Sequence, residues 1–156
     1  MISDNAFARE VRELTDTAFA VSYLILGNKT DCEDAIGQAV LRTYESRGTL
    51  KIQDSFRTWF LQILRNEAYG ILRRQRRIQP VDELPERNAP EEDTDERLDL
   101  QSAIMKLDGD QRAALLLQQE GYSIEEIGRA LDTPVGTVKS RIYRAKSTLR
   151  TILQEN

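Results

Sequence analysis

The stretch DTPVGTVKSRIYRAK, residues 132–146, puts two unlike helical faces behind a turn. At 100° per residue, Val135, Val138, Ile142, Ala145, Leu149 and Ile152 fall on one apolar stripe, which needs a core beneath it. Gly136, Lys139, Ser140, Tyr143, Arg144 and Ser147 fall on roughly the opposite side, which carries donors, cations and one ring but no acid. Thr133 is placed to cap this helix, with Pro134 at its first position, where a missing N–H costs nothing. Taken alone, the stretch fits a surface helix with a solvated basic face as well as it fits a helix that meets an anion.

The residues just upstream separate these readings. GYSIEEIGRAL (121–131) contains a capping box, Ser123 with Glu126, and Ile124, Ile127 and Leu131 give a short helix one apolar face. Asp132 and Thr133 then turn tightly into the second helix. Two helices joined this closely make a helix-turn-helix, whose second helix enters the DNA major groove. Gly136 leaves the first turn bare, so the backbone can approach a phosphate and the helix dipole favours that anion. The expected DNA-binding set is Gly136, Thr137, Lys139, Ser140, Arg141, Tyr143, Arg144 and Lys146. Of these, Lys139, Ser140, Tyr143 and Arg144 reach base edges, while Arg141 and Lys146 flank them on phosphates.

Composition excludes most chemistry. The chain has 156 residues, no histidine and one cysteine, Cys32. That removes the usual zinc ligand, the usual general base, the Ser-His-Asp triad, any internal disulfide and any thiolate metal cluster. Neither glycine-rich phosphate-binding motif is present. The expectation is a protein that is not an enzyme and takes no cofactor, metal or small-molecule substrate. No run is apolar enough to span a membrane, and Asp4, Arg9 and Glu10 interrupt any leader-like pattern, so a cytoplasmic location is expected.

The net charge of −4 looks wrong for a DNA binder until it is localised. Residues 78–96, IQPVDELPERNAPEEDTDE, hold eight acids and one arginine, leaving +3 for the rest of the chain. Residues 65–77 carry +4 and residues 129–150 carry +5. Two basic patches are thus separated by an acidic strip. The strip also holds Pro80, Pro85 and Pro90 without an apolar period, and reads as an extended linker. The expected organisation is an all-α chain of two small helical domains, residues 1–77 and 97–156, joined by residues 78–96.

In the first domain, one helix is expected from about Ser3 to Leu26 with Gly27 ending it. A second starts at a Thr30–Glu33 capping box and stops before Gly48. A third follows Asp54, with Phe56, Trp59, Phe60, Ile63, Leu64, Ile71 and Leu72 as its buried stripe. Arg57, Arg65, Asn66, Tyr69, Arg73, Arg74, Arg76 and Arg77 lie on its other faces, with a single acid to balance them. Cations interleaved with an Asn and a Tyr suit a nucleic-acid strand. In the second domain, helices over 96–107 and 110–120 are expected to cover the apolar faces of the helix-turn-helix.

Three segments together resemble a bacterial sigma-70 family factor of the small extracytoplasmic-function group, over nearly the whole chain outside the linker. YSIEEIGRALDTPVGTVKSRIYRAK is similar to the family's promoter −35-binding helix-turn-helix. FRTWFLQILRNEAYGILRRQRR is similar to its −10 and DNA-melting helix, and DCEDAIGQAVLRTY to its helix that docks on the polymerase clamp. The resemblance implies that RNA polymerase core and promoter DNA are partners and that an anti-sigma factor controls the chain, free or in the membrane. It implies core docking through Asp31, Asp34, Gln38, Leu41 and Arg42, and −10 melting through Arg57, Arg65, Asn66, Tyr69, Arg73, Arg74, Arg76 and Arg77. It also implies that the linker threads the channel through which RNA leaves. Gly37, Gln38, Val40 and Gly70 depart from the family pattern, at positions that bear on polymerase docking rather than on the DNA-reading face. A self-sufficient repressor or activator would account for the helix-turn-helix but not for the second arginine-rich module. An adaptor that kept the shape and lost polymerase docking is a third reading, which Gly37 keeps open behind that of a sigma factor.

Overall fold

The computed structural model describes residues 1–50, 55–78 and 102–154. Among these residues there are helices and turns and no strand. Helix α1 spans Asp4–Leu26, α2 Lys29–Glu45 and α3 Phe56–Ile78, with a single 3-10 turn at Arg47–Thr49. After a helical turn at 102–105 come α4 (Gly109–Gln119), α5 (Ile124–Ala130) and α6 (Val135–Gln154). Most of the acidic strip, and the start of the helix expected from residue 96, lie outside the described residues.

Local chemistry explains several of the boundaries. The Ser3 hydroxyl accepts from the Ala6 N–H to start α1, and Gly27 ends it in the left-handed region at φ 80°. Asn28, rather than the expected Thr30, starts α2: its side-chain oxygen accepts from the Asp31 N–H at 2.9 Å. With the helix starting two residues earlier, Thr30 and Glu33 lie inside it, and no Thr30 box is needed. The Ser123–Glu126 box forms as expected, and Asp108 with Gln111 makes a second one at α4. Thr133 takes a different role from the one expected. Its hydroxyl donates to the Leu131 carbonyl at 2.9 Å and accepts from Arg141 at 3.2 Å.

Helices α1, α2 and α3 pack on one another, and α4, α5 and α6 likewise. The two groups also meet, through α3 against α5 and α1 against α4. One continuous buried cluster runs from Phe7, Val21 and Phe60 to Leu117, Ile127 and Val138. That second contact changes the buried stripe of α3. Phe56, Phe60, Leu64 and Leu72 are buried as expected, but so are Leu61, Ala68 and Gly70, whereas Trp59, Ile63 and Ile71 are only half-buried. The helix has neighbours on two sides, so a single stripe underestimates its core.

Gly37 is exposed midway along α2, and a Cβ built there meets nothing within 4 Å. Gly37→Ala is therefore expected to stabilise the chain by about 1 kcal/mol, from helix propensity alone. In thermal unfolding the midpoint should rise by roughly 2–4 °C. An unchanged or lowered midpoint would show that the departure at this position has a packing reason.

Candidate nucleic-acid interface

The helix-turn-helix is held by a very short connection. Asp132 adopts a positive φ of 49°, and the Thr133 N–H donates to the Gly128 carbonyl at 2.8 Å. Val138, Ile142 and Ala145 are buried, which fixes α6 rotationally. Val135 is 37 % exposed and Leu149 and Ile152 are half-buried, so the apolar stripe is buried at its centre and loosens at both ends. The rotation leaves Gly136, Thr137, Lys139, Ser140, Tyr143, Arg144 and Lys146 exposed together, Tyr143 by 76 %. Nothing lies within 4 Å of a Cβ built at Gly136, so the first turn is bare. Arg141, expected beside them, turns the other way. Its guanidinium lies 3.6 Å from the Asp110 carboxylate.

The second basic set divides in two. Asn66, Arg73, Arg74, Arg76 and Arg77 are exposed. Arg57, Arg65 and Tyr69 instead face α4 and α5. Arg65 donates through Nε and Nη2 to the two Asp110 oxygens at 3.1 and 2.8 Å, and the Tyr69 hydroxyl donates to the same carboxylate at 3.1 Å. Arg57 donates to Glu126 Oε2 at 2.9 and 2.5 Å, with its guanidinium 4.0 Å above the Tyr122 ring. Hydrogen bonds from Ser123, and then the Arg57 guanidinium, hold the Glu126 carboxyl below the usual carboxylate range against a raising effect of burial. That stabilisation is present above the ordinary carboxylate pKa and fades as pH falls through the lowered one. Burial, followed by the Asp110 charge, pushes the Tyr69 hydroxyl well up, so it stays a donor.

The candidate docking residues lie along α2. Asp34, Gln38 and Leu41 are exposed, Leu41 by 51 %. Arg42 pairs with Glu67 of α3, and Asp31 accepts from Asn28 and from Gln75, each at 2.7 Å. An open groove of about 470 Å³ between α2 and α3 is lined by Gln38, Leu41, Arg42, Asn66 and Glu67. Asn66 thus sits beside the docking candidates rather than with Tyr69. No helix among the described residues is long and apolar enough to cross a membrane, and none of their side chains cluster as metal ligands.

Two helical modules, one a helix-turn-helix with an acid-free exposed face and the other ending in an arginine-rich helix, are the arrangement expected of a DNA-binding protein. The family model for sigma-70 region 2 matches residues 9–78, and that for sigma-70 region 4 matches residues 97–149. The chain is 30 % identical to the ECF RNA polymerase sigma factor SigM of Mycobacterium tuberculosis, over 96 % of this chain and 76 % of that protein. It is 35 % identical to SigE of Mycolicibacterium smegmatis, spanning 94 % of this chain but 61 % of that relative's length. Among solved structures, the sigma factor RpoE of Bartonella quintana, in complex with the anti-sigma factor NepR, matches with a TM-score of 0.74 at 24 % identity, covering 95 % of this chain and 96 % of that one. CnrH in complex with the cytosolic domain of CnrY matches at 0.72 and 21 %, covering 99 % and 91 %. The chain belongs to the ECF group of sigma-70 family RNA polymerase sigma factors, which are transcription initiation factors and not enzymes.

Proposed function

We propose that this chain binds RNA polymerase core in the cell interior and directs it to promoters, reading the −35 element with α6 and opening the −10 element with α3. The observation that carries this is the exposed, acid-free face of α6 in a chain that also presents the arginine-rich end of α3. Phosphate contacts from Lys146 and the bare turn at Gly136 would set the register, and Arg144 with Lys139 would discriminate bases. Docking on core falls to the exposed residues of α2, with residues 1–77 and 97–156 acting as the two functional modules. One structural neighbour, the sigma factor RpoE, is bound to an anti-sigma factor, which supports an anti-sigma factor as a further partner here.

The direct test is run-off transcription from genomic fragments with purified core polymerase, with and without the chain. New discrete transcripts are expected, and their absence would leave the repressor and adaptor readings. Within that assay, Arg144→Ala is expected to weaken −35 duplex binding about tenfold and relax preference at one base pair. Lys146→Ala should weaken all sequences alike. Asn66→Ala is expected to allow the closed complex and slow opening, read as lost permanganate reactivity of −10 thymines. Wild-type reactivity would move Asn66 to the docking groove it borders.

A further inference from the structure

Glu67 is the only acid among the 23 residues of α3, and it stands next to Asn66. A bare carboxylate beside a residue that opens the −10 strand would repel the phosphates of that strand. This carboxylate is not bare. Arg42 reaches across from α2 and pairs through Nε with Glu67 Oε1. The two ends of the pair are unlike: the Glu67 side chain is 12 % exposed and that of Arg42 64 %. The acid is covered, and the cation is what the solvent side of the groove presents. Arg42, Asn66 and Glu67 line the same open groove between α2 and α3. Glu45 lines it too, but it belongs to α2 and is exposed, where salt screens it.

We propose that Arg42 serves −10 opening rather than polymerase docking, and that it acts through Glu67: it neutralises that carboxylate, so a strand passing Asn66 meets a cationic groove wall instead of an anionic one. Docking on core is then left to the other exposed residues of α2, Asp34, Gln38 and Leu41. The acid that α3 carries among its arginines costs the strand surface nothing while Arg42 stands over it. This assignment rests on the reading of α3 as the helix that opens the −10 element.

The test compares Arg42→Gln, Glu67→Gln and the double variant, each as the full chain. Anisotropy measures binding to purified core polymerase, and then binding of the loaded polymerase to a fluorescein-labelled single strand of random sequence. Arg42→Gln should bind core as wild type does and the strand about tenfold more weakly, because it removes a cation and uncovers an acid. Adding Glu67→Gln should restore most of that affinity, and Glu67→Gln alone should bind the strand at least as tightly as wild type. The gap between Arg42→Gln and the double variant should narrow as salt rises, since the groove is open to ions. Unfolding midpoints should stay close to wild type, as for a pair with a largely exposed cation. Lost core affinity in Arg42→Gln would make Arg42 a docking contact and overturn the proposal. Unchanged strand affinity overturns it too, as does a loss that Glu67→Gln does not repair or that follows a lowered midpoint. Loss and rescue on the strand, but no run-off transcripts from wild type, would sustain the role of the pair and sink the initiation reading.

Discussion

Phe60→Ala is expected to remove about 3–5 kcal/mol of folding stability. Phe60 is 1 % exposed, on a helix that packs against α1 and α2. It belongs to a run of rings: Phe60 stacks on Phe56 at 6.0 Å, and Phe56 meets Phe7 edge-to-face at 5.6 Å and Trp59 at 5.8 Å. Truncation removes the transfer energy of the ring and leaves a hole that three helices cannot fully close. A chain of this size has roughly 5–15 kcal/mol in total, so the variant should be partly unfolded under mild conditions. Urea unfolding followed by circular dichroism measures it. Phe60→Leu, which keeps much of the volume, should cost about 1.5 kcal/mol or less. Equal losses for the two would show that shape, rather than volume, sets the packing there. The basic end of α3 lies several turns away, so any loss of DNA binding by Phe60→Ala should track the unfolded fraction and recover with osmolyte.

The fold and the two basic surfaces were legible in the sequence for one reason: both depend on short-range spacing. Ser123 and Glu126 are three residues apart, the apolar stripe of α6 repeats at three and four, and the exposed face follows once Val138 and Ile142 are buried. What failed to show has the opposite character. Arg65 and Asp110 are 45 residues apart and Arg57 and Glu126 are 69, and no local pattern links them. Read locally, those arginines have no acid to meet and look free for a phosphate. The buried set of α3 also takes in Leu61 and leaves Trp59 half-exposed, because α3 is covered on a second side that its own periodicity does not reveal. Gly70 needs no special account: a Cβ there meets only the flexible ends of Arg73 and Arg74 at 3.8 and 3.5 Å. Gly128 was also missed, although a glycine within the seven residues of α5 was the available signal. A helix that short has little propensity to spare, so a glycine in it calls for a packing reason.

Gly128→Val is expected to cost about 1.5–3.5 kcal/mol and to abolish sequence-specific duplex binding. The reason is a backbone-on-backbone approach. A Cβ at Gly128 would lie 2.8 Å from the Thr133 carbonyl oxygen, with Val135 and Val138 methyls at 3.8 Å behind it. The oxygen belongs to the turn itself and cannot rotate away as a flexible side chain would. Making room means lengthening the 2.8 Å hydrogen bond from the Thr133 N–H to the Gly128 carbonyl, worth about 1 kcal/mol, on top of about 1–3 kcal/mol of overpacking. Removing a helical glycine returns at most about 1 kcal/mol, and less for a β-branched residue. The displaced turn carries α6 with it, so Lys139, Ser140 and Arg144 lose their common register on the groove while each side chain remains present. Gly136→Ala is the matched control: its Cβ meets nothing, so stability should be kept or improved, and only the approach of a phosphate to the first turn should suffer. Unfolding curves and duplex gel shifts on the two variants separate the roles. Wild-type duplex binding by Gly128→Val would mean that the turn tolerates displacement and that α6 finds its register without it.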